Sequence, residues 1–217
     1  GLLNGFLSFR LQGQALIMTL GVGFGIVGAA QIFTTVGSQY SGTVFSDVPQ
    51  WFANIASING KIFGASVPPV VVLWFVMSLI TVLIMNKTKI GREFYAIGGN
   101  RTAASRLQIS EFKMWLTAYG TSGLTASLTG MLLLGFSGGG FADVGEGFLF
   151  TTVAAVVVGG TSLLGGTGGY GATIIGVLVL QVLTSVLVGL GLNYAAQQTV
   201  FVLLILPMVA LYARSPH

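Results

Sequence analysis

The sequence predicts an all-α protein, a polytopic bundle of membrane-spanning helices, and three observations carry that prediction. Of 217 residues, 53% are hydrophobic and only 6% charged, with a mean hydropathy of +0.89. Soluble domains carry roughly 25% charged residues, so a fold this poor in charge is suited to an outer surface that faces lipid. The chain also holds 33 glycines, a residue that lets membrane helices approach closely. A disordered glycine-rich chain would instead be low in hydrophobicity. Finally, the charge is gathered: Lys87, Lys89, Arg92, Arg101, Arg106 and Lys113 are six of the nine basic residues.

The elements follow in order from the apolar runs, each needing about 20 residues to cross a bilayer. Residues 1–9 (GLLNGFLSF) read as the tail of a hydrophobic helix already under way. The chain is therefore expected to be one transmembrane domain, 1–217, lacking an N-terminal part. Uncharged runs at 11–36, 67–86 and 114–136 are the next three spans. Pro68 and Pro69 open the middle one, where a missing N–H costs least. From Gly147 to Ala213 there is no charge at all. Glycine and polar residues divide this stretch at Gly159–Gly171 and at Gly189–Gln198, giving spans near 147–164, 171–190 and 197–213.

Charge then orients the chain. The positive-inside rule places the basic loop 87–113 in the cytoplasm. By alternation Arg10 and Arg214 also fall inside. Asp47, Lys61, Asp143 and Glu146 fall outside. No charge lies mid-span, where each would cost about 2.5–3.5 kcal/mol.

The residues offer no catalytic set and no metal-ligand spacing: the chain has no cysteine and its one histidine is His217. A net charge of +4 is too thinly spread for a nucleic-acid face. No carboxylate lies inside a span, which argues against proton coupling within this chain. GTGGYG (Gly166–Gly171) matches a dinucleotide fingerprint in letters only, since no strand precedes it and no acid follows about 20 residues on. No phosphate-binding G-x-x-x-x-G-K-[ST] is present either. TGGYG resembles a potassium filter, but the charge bias puts it on the cytoplasmic side, where a tight glycine turn serves. GVGFG (Gly21–Gly25), with Gly28, reads as small-residue helix packing, the alternative being a thin wall beside a polar pathway. Uncharged polar residues inside the spans, among them Thr19, Gln31, Thr121, Thr151 and Thr152, are candidates to line a route for a neutral, hydroxyl-rich solute.

The loop 87–113 is far longer than two spans need. Asn100 is a ready N-cap for a short helix, on which Ala103, Ala104 and Leu107 share one face at i, i+1 and i+4. A small apolar face with basic flanks suits docking into a groove of another protein. The alternative is a helix lying on anionic headgroups, but interfacial helices favour bulky Trp, Phe and Leu over alanine.

KIGREFYAIGGNRTAASRLQI resembles the cytoplasmic loop of permeases of ribose/xylose-type ABC importers. Thr88, Gly91, Arg92, Tyr95, Ala96, Gly98, Gly99, Asn100, Ala103, Ala104 and Ile109 match in place. Ser105 stands where the family has Arg, and Gln108 where it has Gly. A second block, AAVVVGGTSLLGGTGGYGATIIG (Ala154–Gly176), is similar to the family's GGTSL-x-GG segment. The opening GLLNGFL matches its G-x-x-N-G-x-L. Branched-chain amino-acid permeases are the related alternative; an ion channel or ion-coupled carrier is the competing class. The resemblance implies a type II ABC-importer permease fold, a pairing with a second permease, and a periplasmic sugar-binding protein. It also implies a cytoplasmic ABC ATPase that holds ATP-Mg, no cofactor on this chain, and a multi-pass place in the bacterial inner membrane. Gly91, Arg92, Tyr95, Ala96, Gly98, Gly99, Asn100, Ala103, Ala104 and Leu107 would form the ATPase-coupling segment.

Overall fold

In the computed structural model, residues 1–11, 15–37, 43–45, 48–57, 68–141, 144–162, 165 and 167–214 are described. Asp47, Lys61, Asp143, Gly166 and His217 lie outside them. The described chain is helical apart from one small ribbon. The helices are α1 (Leu2–Arg10), α2 (Ala15–Gly37), α3 (Gln50–Ala56), α4 (Pro69–Lys87), α5 (Lys89–Gly99), α6 (Arg101–Arg106), α7 (Glu111–Ser137), α8 (Glu146–Val158), α9 (Tyr170–Gly189) and α10 (Tyr194–Arg214). Strands β1 (Thr43–Phe45) and β2 (Gly139–Phe141) pair antiparallel, with Val44 opposite Gly140. The chain forms two compact units, Gly1–Met77 with Ser110–Val144, and Ser78–Ile109 with Gly145–His217.

Three helical segments are long and apolar enough to cross a membrane: Ile17–Val36, Pro69–Lys87 and Tyr170–Gly189. Their large side chains are mostly exposed, including Phe24, Phe33, Phe75, Ile175 and Val182, as lipid-facing side chains are. Helix α7 is longer than any of these but diluted by threonine. Thr117, Thr121, Thr125 and Thr129 each donate to the carbonyl four residues back, so the helix satisfies its own hydroxyls.

In the first unit α1 lies against α7. A Cβ on Gly5 would sit 3.1 Å from the Tyr119 Cβ and 3.2 Å from the Trp115 carbonyl oxygen, so glycine sets the approach. Phe112 meets Phe9 edge-on at 5.1 Å between ring centroids. The short helix α3 packs on α7 at Gly135, where a Cβ would be 2.9 Å from the Ala56 Cβ.

In the second unit α8 packs against both α9 and α10. Its core is Ala154, Ala155, Leu180, Leu187 and Phe201, flanked by Val158, Leu183, Val200 and Ile205. A Cβ on Gly159 would lie 2.6 Å from the Ala172 carbonyl oxygen, and one on Gly176 would overlap the Ala155 carbonyl. Small residues on both helices thus bring the backbones into contact, as in membrane helix pairs.

Several boundaries differ from the apolar runs. The segment expected at 147–164 stops at Val158. The cause is a Schellman closure: Gly160 donates to the Val157 carbonyl and Thr161 to that of Val156, with Gly160 at φ +80°. The segment expected at 114–136 begins earlier, at Glu111, because Ser110 caps it, its Oγ accepting from Lys113 N. The 87–113 loop holds two helices, α5 and α6, rather than one.

Candidate functional site

The charged segment is built from its first residue. Thr88 ends α4 and starts α5: its Oγ1 donates to the Ile84 carbonyl at 2.6 Å and accepts from Gly91 N at 3.4 Å. Gly91 is buried, and a Cβ there would overlap the Met85 carbonyl. It is the residue on which α5 folds back against the last turn of α4, so its role is to permit that approach. Along α5 the apolar residues Ile90, Phe94 and Ile97 recur at helical spacing. Lys89 and Glu93 pair at 3.6 Å on the surface, an i,i+4 contact worth a few tenths of a kcal/mol. Sequence reasoning missed α5; Thr88 ahead of this periodicity was the available signal.

Asn100 serves both helices. Its N–H donates to the Ala96 carbonyl, closing α5, and its Oδ1 accepts from Ala103 N at 3.0 Å, opening α6. Its extended backbone, φ −155° and ψ 105°, sets the angle between them. The expected cap is therefore present, and such caps contribute about 1 kcal/mol.

The expected shared face is unevenly exposed. Ala104 is 3% exposed, Ala103 is exposed, and Leu107 is 71% exposed. Leu107 is the C-cap, and its N–H still donates to the Ala103 carbonyl, so Ala103 and Leu107 lie one turn apart while Ala104 between them is buried. Of the remaining predicted residues, Arg92, Tyr95, Gly98 and Gly99 are exposed and Ala96 is half-buried. Lys87, Lys89, Arg101 and Arg106 add exposed positive charge.

The end of α6 explains a departure seen in the sequence. Gln108 N donates to the Ser105 carbonyl and Ile109 N to that of Ala104. This is the same closure as at Gly160 and at Gly191, which ends α9. Gln108, at φ 57°, is the one non-glycine residue with positive φ among the described residues. The left-handed turn is thus kept although its usual glycine is not. That conformation costs an L-residue about 1–2 kcal/mol, against about 0.5–1 kcal/mol for the extra freedom glycine loses. Gln108→Gly is expected to hold or raise the stability of the purified protein by up to about 1 kcal/mol, read as an unchanged or higher thermal midpoint. Gln108→Val is expected to lower it.

The second sequence block lies beside the first, within the same unit. Its turn is internally bonded: Ser162 N donates to the Thr167 carbonyl at 3.1 Å, Gly165 N to that of Ser162 at 3.2 Å. The hydroxyls of Thr161 and Thr173 are 3.1 Å apart. Gly168, at φ +117°, sits where a Cβ would be 2.6 Å from the Thr161 Cα. A Cβ on Gly165 would lie 3.2 Å from the Gly98 carbonyl oxygen, and one on Gly169 3.6 Å from the Tyr95 hydroxyl.

The pathway candidates are placed separately. In the first unit Thr19 and Gln31 are on α2 and Thr121 on α7. In the second, Thr151 and Thr152 are on α8, donating to the Gly147 and Leu149 carbonyls. These donations leave oxygen lone pairs as acceptors. Among the described residues no cluster of His, Cys, Asp or Glu is placed to hold a metal ion.

The family described as "Branched-chain amino acid transport system / permease component" matches residues 1–211. The probable ABC transporter permease protein YphD of Escherichia coli K12 is 40% identical over 66% of this chain and 42% of its own length. The ribose import permease protein RbsC of Escherichia coli K12 is 31% identical over 95% of this chain and 62% of its own. The autoinducer 2 import system permease protein LsrC of Yersinia enterocolitica is 34% identical over 87% of this chain and 49% of its own. The chain thus spans roughly half the length of these relatives. A search of solved structures returns no significant match.

Proposed function

From the premise that this chain belongs to the family of branched-chain-amino-acid-type transport-system permease components, and is a multi-pass membrane protein, we propose that it is the membrane-spanning subunit of an ATP-driven monosaccharide importer. The observation that carries this reading is the α5–α6 pair. It is a capped, cation-rich excursion with a small exposed residue, Ala103, at its turn, set in the sequence between apolar helices. Such an element offers a groove-fitting helix end and charges that steer a protein partner. The partner is a cytoplasmic ABC ATPase, which holds and hydrolyses ATP-Mg. This chain binds no cofactor. The sugar arrives from a periplasmic binding protein at the bacterial inner membrane, and a second permease, identical or not, completes the pathway. Sugar is favoured over amino acid by the GGN and GGTSLLGG blocks and by the ribose import relatives.

The mechanism follows from those parts. ATP-driven closure of the ATPases displaces α5–α6, and the membrane helices switch between outward and inward access. Thr19, Gln31, Thr121, Thr151 and Thr152 are the proposed acceptors for solute hydroxyls along the route. Vesicles containing the full permease, its ATPase and binding protein should take up sugar only when ATP is hydrolysed. Uptake that persists without the ATPase would place the protein among channels or ion-coupled carriers instead.

A further inference from the structure

The glycine turn of the second sequence block has no part in docking as proposed, yet it touches the docking segment. The backbones of Gly98 and Gly165 meet with no side chain between them: a Cβ built on Gly165 would lie 3.2 Å from the Gly98 oxygen and 3.7 Å from its Cα. Four residues on, Gly169 faces the Tyr95 hydroxyl. Beside this contact Ser162 N donates to the Thr167 carbonyl, Gly165 N donates to that of Ser162, and the Thr161 and Thr173 hydroxyls pair. The turn continues directly into α8 and α9, whose backbones are held together at Gly159 and Gly176. A backbone contact with α5 that continues into a close-packed helix pair passes on displacement, because close-packed interiors transmit strain rather than absorb it.

We infer that the contacts of Gly165 and Gly169 with α5 are the joint through which movement of the docking segment reaches the α8–α9 pair, with these two glycines as positioning residues. This rests on the importer reading above. It assigns Gly165 and Gly169 a role in regulating access, separate from holding the ATPase. Gly165 is required bare because its φ is +90° and its neighbour is backbone. Gly169 has extended backbone, φ −166°, which any residue adopts, so only the space in front of Tyr95 limits its side chain.

That difference makes Gly169 the cleaner probe. In the complete transporter, sugar uptake and ATP hydrolysis are measured together for Gly169→Ala, Gly169→Val and Gly169→Phe. Alanine should leave uptake per ATP unchanged, since its Cβ makes an ordinary contact. Valine and phenylalanine should lower it in order of size, with phenylalanine reaching about tenfold, a usual scale for coupling between sites. ATPase binding and hydrolysis should be retained throughout. Should the phenylalanine variant fail to assemble, the valine variant and Gly165→Ala decide by the same ratio. Assembled variants with wild-type uptake per ATP would overturn the inference. A wild-type transporter whose uptake ignores ATP would instead sink the importer reading, so the two failures are distinguishable.

Discussion

Gly176→Ala is expected to cost about 3 kcal/mol or more, at the upper end of overpacking changes. The added Cβ would overlap the Ala155 carbonyl and lie 2.7 Å from Gly159 N and 2.9 Å from Gly159 Cα. All three neighbours are backbone, so no side chain can swing aside. The helices would have to separate, exposing Ala154, Ala155 and Leu180 of the core. Gly171, on the same helix, has open space where a Cβ would stand, with no neighbouring atom within 4 Å. Gly171→Ala should be neutral or gain up to about 1 kcal/mol from helix propensity. Thermal unfolding of the two variants in detergent checks this: a large fall for Gly176→Ala beside little change for Gly171→Ala. Equal midpoints would mean that the α8–α9 contact is not what holds this unit together.

What the sequence made legible, and what it hid, divides along physical lines. The long apolar runs located α2, α4, α7, α9 and α10, since lipid demands length and hydrophobicity and both are local properties. The Asn100 cap was legible for the same reason: an N-cap bonds a residue three positions away. The end of α8 was legible only in part: glycine marks a break from Gly159, yet the apolar run carries the expected span on to residue 164. Val157, Val158, Gly159 and Gly160 are all acceptable in a membrane helix, and only a positive φ at Gly160 ends it. Helix α5 is masked by its charge, which overlies the helical spacing of Ile90, Phe94 and Ile97. The β1–β2 ribbon and the packing of α3 on Gly135 join residues about a hundred positions and about eighty positions apart, beyond any local pattern. The meeting of Gly98 with Gly165 is of this kind too. Two motifs could be read separately, but their contact belongs to the fold.

Ala103 and Ala104 should part company when each is replaced by glutamate. On helical spacing alone they are equivalent members of one face. In the fold Ala104 is 3% exposed and Ala103 is exposed. Ala104→Glu would bury an unpaired carboxylate, a change that costs several kcal/mol, and should disrupt α6 itself. Ala103 is the third residue of a helix capped by Asn100. A carboxylate in a helix's first turn is favoured by the helix dipole, so Ala103→Glu should leave α6 intact or firmer. Its effect on a partner is then a test of docking and not of folding. An ATPase groove that receives this surface should reject the added bulk and charge, at about 2 kcal/mol or more, the scale of an interface hot spot. The deciding measurement is the affinity of the ATPase for the full permease carrying Ala103→Glu, with membrane insertion verified alongside. The account predicts binding weakened about thirtyfold or more. Wild-type affinity in the correctly inserted variant would contradict the assignment of α5–α6 as the ATPase-docking element.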